Sequence, residues 1–454
     1  MSTAQKFART PSPARTGAPP GLRTLLRLPL LLAVLVTLPA LTMRIGGLHL
    51  GAVPQLLVFG AAVVGASFLL AWAAEAAQLD VSGGLAIAVL AVIVVLPEYA
   101  VDLFYAWTAG HDPAYAPFAA ANMTGSNRLL LGIGWPVVVL VSLAVARRAN
   151  TNRTGSDRGN DNTDRQKSAR PHTMLLEPGN RLELGFLLVA GVLAFIIPVT
   201  GQIHIVLGVV LLGWFGFYLF RLTRGEVKEP DLVGTAASVG ALPQTARRVT
   251  VSILLIGAAG IILACAEPFA TSLVDAGTTL GVDRFLLVQW LAPLASEAPE
   301  FIVAIIFASR GKGVEALAIL ISSKVNQWTL LVGSLPIAQL IGGGTGVLVL
   351  DVRQVEEMYL TATQTMMGVA IVLALRFHRA SALALLGLFL IQFPLTGEST
   401  RLILSAVYAL LAYTAFLVNR DHLWPTIRAP FTRTPGSEQP DTSHVEREAS
   451  QRHE

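Results

Sequence analysis

The stretch SEAPEFIV (residues 296–303) sets two carboxylates, Glu297 and Glu300, and a helix-breaking proline, Pro299, inside a run that is otherwise apolar. A second stretch, VVLPEYAVD (residues 94–102), repeats the pattern with Pro97, Glu98 and Asp102. Ionisable groups in long apolar segments are costly and mark functional positions by default. How the two stretches relate decides the fold.

The surrounding composition sets their context. Of 454 residues, 53% are hydrophobic and 14% charged, against about 25% charged in soluble domains. The charges avoid long stretches, which makes this an integral membrane protein rather than one with a large soluble core. A pI near 9.4 would suit nucleic acid, but the basic residues lie in loops between apolar runs, where membrane topology accounts for them. Cys265 is the sole cysteine, so no intramolecular disulfide forms, and an inert buried thiol is expected.

A membrane-spanning helix needs about 20 apolar residues. Candidates lie near 25–43, 54–75, 84–107, 115–146, 183–200, 203–220, 249–271, 284–308, 313–341, 358–376, 380–395 and 401–418. Basic residues test this twelve-span layout. They crowd the N-terminal tail 1–24, the linkers after the fourth and sixth spans (149–172 and 221–248), and the turns holding Arg310 with Lys312 and Arg376 with Arg379. The opposite side carries only Arg44, Arg284 and Arg353. Both termini are therefore expected in the cytoplasm, at an inner (plasma) membrane. No A-x-A cleavage site follows the first apolar run, which reads as a transmembrane helix. The linker 149–172 and the tail 425–454 read as disordered. The N-x-T matches at Asn122 and Asn152 fall in a span and on the cytoplasmic side, so neither reads as a glycosylation site.

Each Pro-Glu stretch is followed by a short turn and a polar-dotted span: ANMTGSNRLLLGIGWP (121–136) in the first copy, LISSKVNQWTLLVGSLP (320–336) in the second. Ungapped, Asn122 falls opposite Ser322, Ser126 opposite Asn326 and Asn127 opposite Gln327. The copies, 94–136 and 296–336, begin at the third and eighth spans, an odd number apart, and so cross the membrane in opposite senses. Inverted repeats with interrupted helices meeting at the midplane are the plan of many secondary transporters. The domain reading is thus an extra helix at 25–43, one half at 54–220, the linker 221–248, a second half at 249–395 and a last helix at 401–418.

The chemistry follows. Proline frees a backbone carbonyl, and free carbonyls in lipid are tolerated only where they line a site. Carboxylate, carbonyl, hydroxyl and amide oxygens together suit a hard cation. Glu98 and Asp102 share a helix face, as do Glu297 and Glu300. Four carboxylates meeting in a dry site need cations or protons to be stable. The candidate ion-binding residues are Glu98, Glu300, Glu297, Asp102, Asn122, Asn326, Ser126, Ser322 and Ser323, with Pro97, Pro299, Asn127 and Lys324 beside them.

At these residues the chain resembles the calcium/cation antiporter superfamily of the sodium/calcium exchanger type. Its repeats read G-T-S-x-P-E and, one helix later, G-N-x-x-G-S-N. LPE (96–98), APE (298–300) and ANMTGSN (121–127) match. The resemblance covers residues 54–395 and implies ten core helices, with cation binding by the repeat glutamates. Val94 and Val95 stand where that motif has hydroxyls, Glu297 adds a carboxylate, and Val325, Asn326 and Gln327 replace the second G-S-N. Lys324 would then stand in for a bound monovalent cation or pair with Glu297.

The expected protein is therefore an all-α, polytopic antiporter of roughly twelve spans. It would exchange Ca2+ or Na+ for H+ or Na+, with no cofactor and no nucleic-acid partner. A cation channel and an exchanger relative carrying another solute are the alternatives. An intramembrane hydrolase lacks its motifs: neither H-E-x-x-H nor G-x-S-x-G occurs. Transport would run on ion gradients, since no P-loop is present. His111 and His204 belong to no metal-spaced cluster, and the glycine run at 341–346 reads as a loop.

Overall fold

In the computed structural model, the described residues are 20–81, 93, 95–156, 172–224, 232–394 and 397–432. The expectations for residues 1–19, 157–171, 225–231 and 433–454, for Val94 and for the first part of the third span (82–92) lie outside them.

The first half contains α1 (Pro20–Gly46), α2 (Ala52–Ala77), α3 (Leu96–Thr108), α4 (Ala116–Leu129), α5 (Trp135–Ser156), α6 (Arg181–Ala194), α7 (Ile196–Thr200), α8 (Ile205–Leu222) and the short α9 (Gly234–Gly240). The second contains α10 (Gln244–Leu280), α11 (Arg284–Ser309), α12 (Gly313–Asn326), α13 (Val332–Ile341), α14 (Val352–Val372), α15 (Arg379–Ile391), α16 (Glu398–Val418) and α17 (Arg420–Arg428). Among the described residues nine helical spans are long and apolar enough to cross a membrane. Two of the twelve expected spans fall short of that measure. The helix α15 is apolar but short, and α14 carries buried Gln354, Glu356, Glu357 and Gln364. The reason for the second is position. In lipid the polar faces turn inward, so 313–341, 78% buried, is the least hydropathic span, whereas Gln244–Leu280, 28% buried, is the most.

The two repeats exchange partners. The helix α3 of the first packs on α13 of the second, and α11 of the second packs on α4 of the first. This is the contact pattern of an inverted pair. Helix α2 lies along α10, and α16 along α14. Two antiparallel ribbons stitch the halves together: β1 (Thr173–Leu175) pairs with β4 (Arg376–His378), and β2 (Gln202–His204) with β3 (Val347–Val349). The ribbons lie at opposite ends of α14, because β3 precedes it and β4 follows it. Where helices cross closely, glycine makes room. A Cβ on Gly208 would lie 2.8 Å from the Gly333 carbonyl, and the reverse distance is the same.

The helices after the Pro-Glu stretches are interrupted at matching places. A π-helical turn, Leu130–Gly134, joins α4 to α5, and another, Gln327–Leu331, joins α12 to α13. Such turns add a residue and rotate everything beyond by about 100°. The two prolines behave differently from each other. Pro97 opens α3 in its first turn. Pro299 lies within α11, which stays helical from Arg284 to Ser309 instead of breaking. A spanning helix tolerates proline where neighbours or a cavity satisfy the freed carbonyl.

Candidate functional site

Glu98 sits in the first turn of α3, where the helix dipole favours negative charge. Glu297 and Glu300 project from the middle of α11, and α4 and α12 bring their polar residues between them. The side-chain oxygen of Ser126 (α4) is in hydrogen-bond contact with Oε1 of Glu98 and with Oε1 of Glu297. Gln327, at the start of the second π turn, donates from Nε2 to Ser126 Oγ at 2.8 Å and to Glu297 Oε1 at 2.7 Å. Ser323 donates to Glu300 Oε2 at 2.5 Å. Glu98 and Glu297 are 6% and 2% exposed. A narrow cleft lined by Glu98, Glu297, Glu300, Pro97, Pro299 and Ser67 encloses about 10 Å³, room for about one water.

Hydrogen counting constrains this cluster. A serine hydroxyl has one proton and can donate to one carboxylate only. Ser126 touches two. The hydroxyl therefore serves both carboxyls only where a proton or a cation is shared among the three groups, while Ser126 also accepts from Gln327. Among the described residues no three His, Cys, Asp or Glu side chains converge as a metal cluster. In this arrangement the carboxyls are tied off on Ser126, Gln327 and Ser323.

Other predicted positions go elsewhere. Ser322 turns away from the acids and hydrogen-bonds Tyr218 of α8 at 2.7 Å, because adjacent helical residues point about 100° apart. The backbone carbonyl of Asn326 accepts from the Tyr99 hydroxyl at 3.2 Å, and its neighbour Gln327 reaches the acids. The Asn127 amide donates back to the Met123 carbonyl of its own helix. Asp102 and Asn122 are both fully buried and interact with each other one turn beyond Glu98. Lys324 forms no ion pair with Glu297 among the described residues. Its Nζ reaches across to the Asn127 carbonyl at 2.5 Å.

Sequence reading missed two features. Gln327 was legible only as the residue opposite Asn127. Arg128 forms a buried ion pair with Glu357 of α14 at 2.6 Å and stacks on Trp290 at 4.9 Å. Nothing in the spacing of these three residues announces the contact. They border a cavity of about 600 Å³ that also takes in Arg353, Asp283 and Arg401. Gln289 lies between this cavity and the carboxylate cluster. It donates to Thr124 at 3.3 Å, and a Cβ on Gly125 would meet its carbonyl at 1.7 Å.

Residues 52–224 and 250–419 match the family model described as sodium/calcium exchanger protein. The chain belongs to this family. The match runs to residue 419, so the helix expected at 401–418 as an addition to the core lies within it. Among solved structures, the H+/Ca2+ exchanger CAX is similar over 90% of this chain and 98% of its own, with 38% identity and a TM-score of 0.80. The Ca2+/H+ antiporter protein YfkE is similar in fold, with 15% identity, 86% and 100% coverage and a TM-score of 0.54. No curated protein matches by sequence. As a sodium/calcium exchanger family member the chain is a cation antiporter, and its inverted repeats carry the paired glutamates.

Proposed function

We propose that this antiporter exchanges Ca2+ for H+ by alternating access, with Glu98, Glu297 and Glu300 taking up either the metal ion or protons. The observation that carries this reading is the single hydroxyl of Ser126 between two buried carboxyls, a set of oxygens that a proton or a cation must balance. A calcium ion, a hard cation seeking oxygen, competes for the same oxygens. Its entry displaces the proton and frees Ser126 and Ser323 to ligate it. The 38% identity to an H+/Ca2+ exchanger supports this choice of ions. Asp102 and Asn122 would form the next polar station along α3. The narrow cleft beside Pro97 and Pro299 and the larger cavity beyond Gln289 would be the two access paths, opened in turn.

The positive-inside pattern supports a reading with both termini in the cytoplasm, at an inner membrane. Its partners are the lipid bilayer and the transported ions. It makes no covalent bond, so it is a transporter and not an enzyme. In proteoliposomes an imposed pH gradient is expected to drive Ca2+ uptake by the wild type. Glu98→Gln, Glu297→Gln and Glu300→Gln are expected to abolish it without loss of folding, as judged by a monodisperse peak in detergent. Wild-type behaviour in all three variants would refute the assignment.

A further inference from the structure

Lys324 is wholly buried in α12, next to Ser323. Its ammonium donates to the carbonyl oxygen of Asn127, in the last turn of α4 before the first π segment. Among the described residues it makes no ion pair with Glu297 or Glu98, and the Asn127 carbonyl is its hydrogen-bond acceptor. The second repeat offers a comparison. There the carbonyl of Asn326, just before the other π segment, receives the Tyr99 hydroxyl. Of two carbonyls at matching helix interruptions, one is closed by a phenol and the other by an ammonium group. Backbone oxygens at interrupted membrane helices, beside carboxylates, are what a monovalent cation uses. Here a lysine holds one of them.

We propose that the Lys324 ammonium is a tethered monovalent cation. It fills the place that free Na+ or K+ would take at the Asn127 carbonyl, and so restricts exchange to a divalent ion and protons. The inference rests on the reading of this cluster as a cation-exchange site and decides which ions that site refuses. Charge counting agrees with it. Glu98, Asp102, Glu297 and Glu300 against one ammonium carry three net negative charges when ionised. A divalent ion leaves one, which a single retained proton neutralises. Without the ammonium a further cation is required.

The test compares wild type with Lys324→Met, of similar volume and no charge. Wild-type Ca2+ uptake in proteoliposomes should be the same in sodium and in choline. In Lys324→Met, sodium should slow uptake by about tenfold, as expected where a competing ion gains a charge interaction worth one pKa unit. The purified variant should also bind radiolabelled sodium that Ca2+ displaces. The proposal is overturned if the wild type binds sodium displaceable by Ca2+, or if a monodisperse Lys324→Met binds none. Should the variant not assemble, the wild-type sodium measurement decides alone: binding overturns the proposal and its absence supports it. If the wild type moves no Ca2+ at all, the Ca2+/H+ reading fails, while sodium binding still tests the lysine.

Discussion

Gln327 donates to both Ser126 and Glu297, so its removal strips a buried carboxyl and a buried hydroxyl of their shared donor. Leaving such groups unsatisfied costs about 1–3 kcal/mol each. Gln327→Leu is therefore expected to lower the melting temperature by several degrees and to weaken apparent Ca2+ affinity by about tenfold. Thermal melts in detergent and the Ca2+ dependence of uptake check the two effects. Ser322→Ala should leave Ca2+ affinity unchanged, because Ser322 bonds Tyr218 on α8 and not the acids.

Two packing contacts govern how the elements meet. The crossing of α4 and α11 depends on Gly125, where a Cβ would collide with the Gln289 carbonyl. Gly125→Val should force the helices apart and pull Ser126 off Glu297, abolishing Ca2+ uptake while the protein still inserts. The second contact is the buried Arg128–Glu357 pair, at 3% and 5% side-chain exposure. Breaking a buried pair from one side strands a charge and costs about 3–5 kcal/mol, whereas replacing both partners with apolar residues is often near neutral. Among the described residues, Arg128→Met leaves Glu357 with Arg401 alone, 3.9 Å away, and should destabilise by no more than about that amount, and Arg128→Met with Glu357→Met should recover most of it. A double-mutant cycle of melting temperatures measures the difference.

Across the whole molecule, the two halves are held by the helix pair α2 and α10 and by a charge clasp at one end of it. Asp80, in the turn after α2, accepts from Arg247 Nε at 2.6 Å and Nη2 at 2.8 Å, and from Arg248 at 3.1 Å. Hydrogen bonding to Arg247 pulls its pKa down from 3.8 to about 2. A carboxyl depressed on folding adds stability above its ordinary pKa and loses it as protons bind the folded state. The clasp is thus fully effective above about pH 4 and fades between pH 4 and 2. Asp80→Asn should lower the melting temperature at pH 7 and flatten its fall over that acid range.

The sequence by itself determined the membrane class, the pair of Pro-Glu helices and the family, and it singled out Glu98, Glu297 and Glu300 as candidates. Hydropathy and helical period fix which residues can lie in lipid and which share a face, and both are local properties. Tertiary structure alone decided which oxygens meet. The hydroxyl of Ser126 bridges acids from two different helices, Gln327 joins it on Glu297, and Lys324 bonds a backbone carbonyl instead of Glu297. Arg128 finds Glu357 across more than two hundred residues of chain. The physical reason is that the rotation of each helix about its own axis decides which side chains meet at a crossing. That rotation is set by how the helices pack, and no spacing within one helix encodes it.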